Sequence, residues 1–127
     1  MDQAREYRKI LGGGMRQAGI LAAAGLIAVE EMPARLHEDH VNARILADGI
    51  AKLPGIAIDP KTVVTNIVIF DIAGTGLTVA DFAAKAKAHG VLLAGVGGMR
   101  VRMVTHMDVS QAECERAVAA IGSVLGV

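Results

Sequence analysis

The sequence predicts an α+β fold, in which a mostly antiparallel sheet has helices on one face and follows a long leading helix. Apolar residues recur at helical spacing through the first 53 positions, whereas β-branched runs bounded by glycine and proline alternate with further helical patterns afterwards. At 127 residues the chain has the length of one ordinary domain, which is enough to bury a core.

The predicted helices have apolar spacing together with residues that favour helix ends. The leading helix is rich in Ala, Leu and Ile, and the second begins at Pro33, which suits a first helical position, and ends before Pro54. Thr78 is a plausible cap for the third helix, and the Ser110–Glu113 spacing of a capping box opens the last. The predicted helices span residues 15–31, 33–53, 78–90 and 110–125.

The predicted strands are short runs of β-branched or other apolar residues, most of them with glycine or proline nearby. The run that ends at Ile72 is the strongest of them, because it is long and dense in valine and isoleucine. These strands span residues 56–58, 63–72, 91–94 and 100–105.

Composition excludes several classes of function. Thirteen basic residues balance thirteen acidic ones, and only Tyr7, Phe70 and Phe82 are aromatic, so we expect no nucleic-acid partner. The strongest apolar run, residues 18–29, is too short to span a bilayer, and the charged first residues do not resemble a signal peptide, so we expect a cytoplasmic protein. A single cysteine, Cys114, is expected to be a small buried side chain.

A triple glycine, residues 12–14, lies between basic residues and the leading helix. Three glycines are costly to order, so a fold uses them where the backbone needs positive φ or a close approach. With Lys9 and Arg16 nearby and a helix N-terminus following, one interpretation is an anion-binding site for phosphate or carboxylate. The other is a glycine-rich turn between two helices with solvated charges.

The second polar cluster is the segment from Arg100 to Asp108. In a strand, Arg100, Arg102 and Val104 share one face, and two guanidinium groups there can grip a carboxylate or can be solvated on an edge strand. His106 is either an acid/base group or a ligand, with Asp108 orienting it, or a histidine that hydrogen-bonds a turn.

His37 and His40 lie three apart on one predicted helix face, a spacing that a metal site permits. No third strong ligand accompanies them, so we interpret this face as solvated and predict no metal site.

Three segments together resemble the C-terminal third of low-specificity threonine aldolases. They are RKILGGGMRQAGILAAAG (residues 8–25), RMVTHMDVS (residues 102–110) and the stretch between them at residues 36–72. These enzymes belong to the aromatic amino acid β-eliminating lyase/threonine aldolase family. The resemblance implies an aspartate-aminotransferase-like, fold type I, pyridoxal-phosphate enzyme that cleaves threonine or allo-threonine to glycine and acetaldehyde. It also implies that residues 1–32 are the tail of the large domain and a linking helix, and that residues 33–127 are the small C-terminal domain.

By position in the family's motifs, Arg102 matches the arginine that binds the substrate carboxylate. Lys9 matches a lysine close to the substrate, and Arg16 a residue that approaches the cofactor phosphate. The family's Schiff-base lysine, in a Ser-x-x-Lys segment, has no counterpart among the five lysines here. We therefore expect no catalytic residue and no binding of pyridoxal phosphate by this chain alone. The alternative is a non-enzymatic α+β interaction module, and in either case we expect a homo-oligomer or association through the apolar helix 15–31.

Overall fold

The computed structural model describes all 127 residues and confirms the α+β class. Contacts within the chain divide it into two compact units, Met1–Arg35 and Leu36–Val127. Five α-helices and one three-stranded antiparallel sheet make up the regular structure. None of the helices is long and apolar enough to cross a membrane.

The first unit contains two helices and a short 3-10 turn. Helix α1 spans Asp2–Ile10, with acidic Asp2 in its first turn and basic Arg8 and Lys9 in its last, the arrangement that the helix dipole favours. None of the predicted helices corresponds to α1, and only the interpretation of the triple glycine as a turn between two helices implied it. Helix α2 spans Gly19–Glu30, so the predicted leading helix begins four residues later than expected and ends within one residue of the predicted end. The 3-10 turn spans Met32–Arg35.

The second unit begins with helix α3, Leu36–Ile50, inside the span predicted for the second helix. One side of α3 is buried at helical spacing, and Ala43, Ala47 and Ile50 are fully inaccessible to solvent. Helix α4 spans Val79–Ala88, and the hydroxyl of Thr78 accepts the backbone N–H of Asp81, which confirms the predicted cap. The last helix, α5, spans Gln111–Leu125 and begins at the predicted capping box.

The sheet has the strand order β1-β3-β2, with β1 at Ile67–Asp71, β2 at Ala94–Gly95 and β3 at Arg100–Val104. Both pairings are antiparallel. Each strand is shorter than predicted, and of the predicted strand at residues 56–58 only a single bridge forms, between Ala57 and Asp71. A β-branched run favours extended backbone, but where the ladder ends depends on the partner strand.

The sheet buries one face only. On β1, Val68 and Phe70 are buried, and on β3 Val101 and Met103 are buried, while the residues between them are exposed. Phe70 meets Phe82 of α4 edge to face, with ring centroids 6.2 Å apart. Helices α3, α4 and α5 therefore cover the buried face, as predicted, and the other face is open to solvent.

Candidate functional site

The open face of the sheet presents two arginines side by side along β3. Because Val101 and Met103 point into the core, strand alternation places Arg100 and Arg102 on the exposed face, as the sequence predicted. β3 is the central strand of the sheet, so the interpretation of an edge strand with solvated arginines is wrong about the strand's place. These guanidinium groups stand in the middle of the open face.

The strand register distinguishes the two arginines. Asp71 of β1 lies directly opposite Arg100, whereas the residues opposite Arg102 are Ile69 on one side and Ala94 on the other. No hydrogen bond or ion pair of the structure involves the Arg102 guanidinium. Arg102 therefore has both edges of its fork available for an anion.

The surroundings of Arg102 are aliphatic. Ile67, Ile69 and Val104 lie on the same open face and are 43%, 43% and 49% exposed. An apolar frame lowers the local dielectric and so strengthens a pair between a guanidinium and a carboxylate. This arrangement suits the capture of a small carboxylate.

The turn after β3 carries His106 and Asp108. The His106 ring Nδ1 lies 3.4 Å from a carboxylate oxygen of Asp108, and both side chains are largely exposed. The turn itself is closed by the backbone, because the N–H of Val109 donates to the carbonyl of His106 at 2.8 Å. Asp108 thus lies within ion-pair distance of the ring, and the turn is closed by the backbone without it.

The triple glycine ends helix α1. Gly12 has φ +82°, its N–H donates to the carbonyl of Lys9 at 3.2 Å, and the N–H of Gly13 donates to the carbonyl of Arg8 at 2.7 Å. These are the two hydrogen bonds of a Schellman motif. The N–H of Gly14 in turn donates to the carbonyl of Gly12 at 2.9 Å. All three amides are therefore used within the turn, and the structure supports a turn between two helices over an anion cradle.

Lys9 and Arg16 belong to the first unit and Arg102 to the second. Lys9 lies in the last turn of α1, where its side chain runs beside Gly14, and Arg16 lies in the turn before α2. Both side chains are exposed and neither has an ion pair. Their roles toward substrate and cofactor stay predictions.

The residues present do not fit pyridoxal phosphate as a whole. A phosphate cup needs free backbone N–H donors, and those of the triple glycine are occupied. A Schiff base needs a lysine held in the site, and Lys85 and Lys87 lie in the last turn of α4, with Lys61 in the exposed turn before β1. These residues do not make a complete site for the cofactor.

Cys114 is buried, as predicted, with 1% of its surface exposed. Burial raises the pKa of its thiol, and the charges of Glu113 and Glu115 raise it further. A thiol that is buried and protonated is a poor nucleophile. Cys114 is therefore part of the core and not of the site.

Sequence reasoning missed a set of polar residues beneath the turn after β3. Asn42, Asn66 and Thr105 hold this turn through hydrogen bonds to backbone groups. Asn66 is the one signal that was present, because an asparagine inside a run of β-branched residues must find partners for its amide.

Comparison with known proteins places these features in a family. The profile of the beta-eliminating lyase family matches residues 1–73. The chain is 35% identical over 114 residues to low-specificity L-threonine aldolase 1 of Arabidopsis thaliana and 39% identical over 116 residues to the probable low-specificity L-threonine aldolase 2 of the same plant. It is 38% identical over 119 residues to the low specificity L-threonine aldolase of Escherichia coli K12. These matches cover 89%, 91% and 94% of this chain but 32%, 33% and 34% of the relatives, so the chain spans about a third of their length.

Proposed function

The chain belongs to the beta-eliminating lyase family, and on that premise we propose that it forms the C-terminal part of a pyridoxal-phosphate-dependent threonine aldolase. The proposed reaction is the cleavage of threonine or allo-threonine to glycine and acetaldehyde. The observation that carries the proposal is the unpaired Arg102 guanidinium on an aliphatic sheet face, at the position of the family's carboxylate-binding arginine.

Arg102 binds the substrate carboxylate in this proposal. A planar guanidinium can donate two parallel N–H bonds to the two carboxylate oxygens, which fixes the plane and the direction of the amino acid. Arg100 has the Asp71 carboxylate directly across the ladder, so it is the weaker candidate. Lys9 is proposed to add positive charge near the substrate, and Arg16 to approach the cofactor phosphate.

The Schiff-base lysine is proposed to come from outside these 127 residues. None of the five lysines stands in a Ser-x-x-Lys segment. We therefore infer that these residues do not catalyse the cleavage alone and act where the cofactor is held by other residues.

The role of Arg102 is tested by titrating the chain with acetate, the simplest carboxylate, while the side-chain Nε–Hε signals of the arginines are followed by NMR. The Arg102 signal should shift saturably together with the backbone amide signals of Ile69 and Ala94, which lie opposite it across the ladder, and Arg102→Gln should abolish these amide shifts. Arg100→Gln is the matched control, since it removes the same charge from the same strand face two residues away. If both variants respond like the wild type, or if both lose the response equally, Arg102 has no special role.

The alternative function is an interaction module without enzymatic activity. The observation that favours it is helix α2, whose large apolar side chains are exposed, with Ile20 at 82% and Val29 at 73%. A helix that is apolar on all sides is normally surrounded by other apolar groups. Light scattering coupled to size-exclusion chromatography tests this: a homo-oligomer supports association through α2, and a clean monomer with a cooperative melt contradicts it.

A further inference from the structure

β3 loses its support on one side just beyond Arg102. The register of β2 and β3 pairs Ala94 with Arg102, and its continuation places Leu92 opposite Val104. No backbone hydrogen bond joins Leu92 to Val104. The predicted strand at residues 91–94 therefore pairs only at its last residue, and the chain before it diverges from β3.

A cleft opens where that pairing stops. It has a volume of about 570 Å³, and its walls include Leu92 and Val104. Strand alternation directs the backbone N–H and C=O of Val104 toward this cleft, because those of Thr105 face β1. With no partner strand on that side, the end of β3 has lost half of the hydrogen bonds that a central strand normally has.

Thr105 holds this end from the other side. It is fully buried, and its hydroxyl donates to the backbone carbonyl of Asp39 in α3 at 2.7 Å. Its N–H donates to the carbonyl of Asn66 at 2.9 Å, and its carbonyl accepts the Asn66 side-chain amide at 2.9 Å. Every polar group of Thr105 is thus engaged, and the partners lie in α3 and in the residue directly before β1.

We propose that Thr105 is a positioning residue for Arg102, with Asn66 as its partner. Arg102 lies three residues before Thr105, which directly follows β3, and it has no hydrogen bond or ion pair of its own that fixes the guanidinium. Its place on the open face follows from the register and rigidity of β3. Because the cleft leaves β3 unsupported next to Arg102, the anchor at Thr105 sets that position. This inference rests on the proposed role of Arg102 in binding a carboxylate.

Thr105→Val tests the anchor, because valine keeps the shape and loses the hydroxyl. Thr105→Ser keeps the hydroxyl and should retain the wild-type behaviour. Thr75→Val is the matched control, since the Thr75 hydroxyl also donates to a backbone carbonyl at 2.7 Å, that of Ile72, outside the strands. The readout is the acetate affinity of the Arg102 Nε–Hε signal, with the free energy of unfolding measured on the same samples.

We expect Thr105→Val to weaken acetate binding about two- to tenfold, the range that corresponds to one net hydrogen bond. Thr105→Ser and Thr75→Val should leave the affinity unchanged, even where Thr75→Val lowers the stability as much as Thr105→Val does. Unchanged acetate affinity in folded Thr105→Val overturns the proposal. If Thr105→Val does not fold, Asn66→Ala, which releases the Thr105 carbonyl only, is held to the same criterion.

A second measurement separates this inference from the proposed function. If the wild type shows no acetate response at Arg102, the proposed role of Arg102 fails. Hydrogen exchange of the Arg102 and Met103 amides then decides whether Thr105 orders the strand. Faster exchange in Thr105→Val than in Thr75→Val supports the anchor, and equal exchange refutes it.

Discussion

At the scale of single residues, Arg100 and Arg102 share one face of β3 but differ in the residues that lie opposite them in the sheet. Alternation along a strand predicts that both point to one face, and they do. Which of them faces a carboxylate and which an aliphatic side chain depends on the residues across the ladder, Asp71 or Ile69, and therefore on a register that no single strand encodes. The resemblance to the family picked Arg102 from its motif, and the register now gives a physical reason for that choice.

Gly49 illustrates a residue whose importance is visible only in the packing. A Cβ added at Gly49 of α3 would lie 2.6 Å and 2.8 Å from the two methyl carbons of Val118 in α5. Such contacts are too short for real side chains, and valine is stiff at χ1. We expect Gly49→Ala to destabilise the chain by about 1–3 kcal/mol, more than the gain of about 1 kcal/mol in helix propensity.

Urea denaturation of a double-mutant cycle checks this prediction. Val118→Ala removes both methyl groups, so Gly49→Ala in that background should cost much less than in the wild type. If the cost of Gly49→Ala is the same in both backgrounds, the clash with Val118 is not its cause.

At the scale of elements, the helix ends were the most predictable part of the fold. The caps at Thr78 and Ser110 follow from local sequence, because their hydrogen bonds join residues three positions apart. Helix α1 was missed because it is short, most of its nine residues are polar and none is buried, although its few apolar residues lie on one side. Strand ends were missed for a different reason: Leu92 belongs to a predicted strand but lies opposite Val104 without pairing.

The capping box of α5 should make stability depend on pH. The backbone N–H of Ser110, and secondarily its hydroxyl, lower the pKa of the Glu113 carboxyl, with a smaller contribution from Arg116. A carboxyl with a lowered folded pKa stabilises the fold above its unfolded value of about 4.3 and loses that contribution as the pH falls through the folded pKa. The wild type should therefore be more stable than Glu113→Gln at neutral pH, and the difference should narrow as the pH falls toward the folded pKa of Glu113.

Urea denaturation at neutral pH and at about pH 3, below the unfolded pKa, measures this difference. Glu115→Gln makes the same charge change on the same helix without touching the cap, and it is the control. A difference of equal size at both pH values, or an equal pH dependence in both variants, contradicts the role of the capping box.

At the scale of the whole molecule, the two units differ in what they bury. The second unit has a core of its own, in which Phe70, Phe82 and Ile121 are almost fully inaccessible. In the first unit no residue is buried, although α2 is strongly apolar. The apolar pattern of residues 15–31 predicted a helix that other apolar groups must cover. This pattern does not predict which apolar groups cover the helix, because it contains no information about the surface that packs against it.

We propose that this chain binds the substrate carboxylate through Arg102 and that the Schiff-base lysine is supplied by other residues. The role of Arg102 and the origin of the lysine both rest on the same family resemblance, but they concern different residues of the chain. Arg102 lies on an open sheet face. No lysine of the chain lies in a Ser-x-x-Lys segment of the kind that carries the family's Schiff base; the five are Lys9, Lys52, Lys61, Lys85 and Lys87. The origin of the Schiff-base lysine decides whether this chain can catalyse the reaction without other residues.

The most direct test is to incubate the purified chain with pyridoxal phosphate, reduce it with borohydride, and locate any cofactor-lysine linkage by mass spectrometry of peptides. We predict only low, scattered labelling of surface lysines, no threonine cleavage, and no protection of any lysine by added threonine. The proposal is contradicted if one lysine is labelled stoichiometrically and the chain cleaves threonine, and if replacing that lysine by arginine abolishes both the labelling and the cleavage.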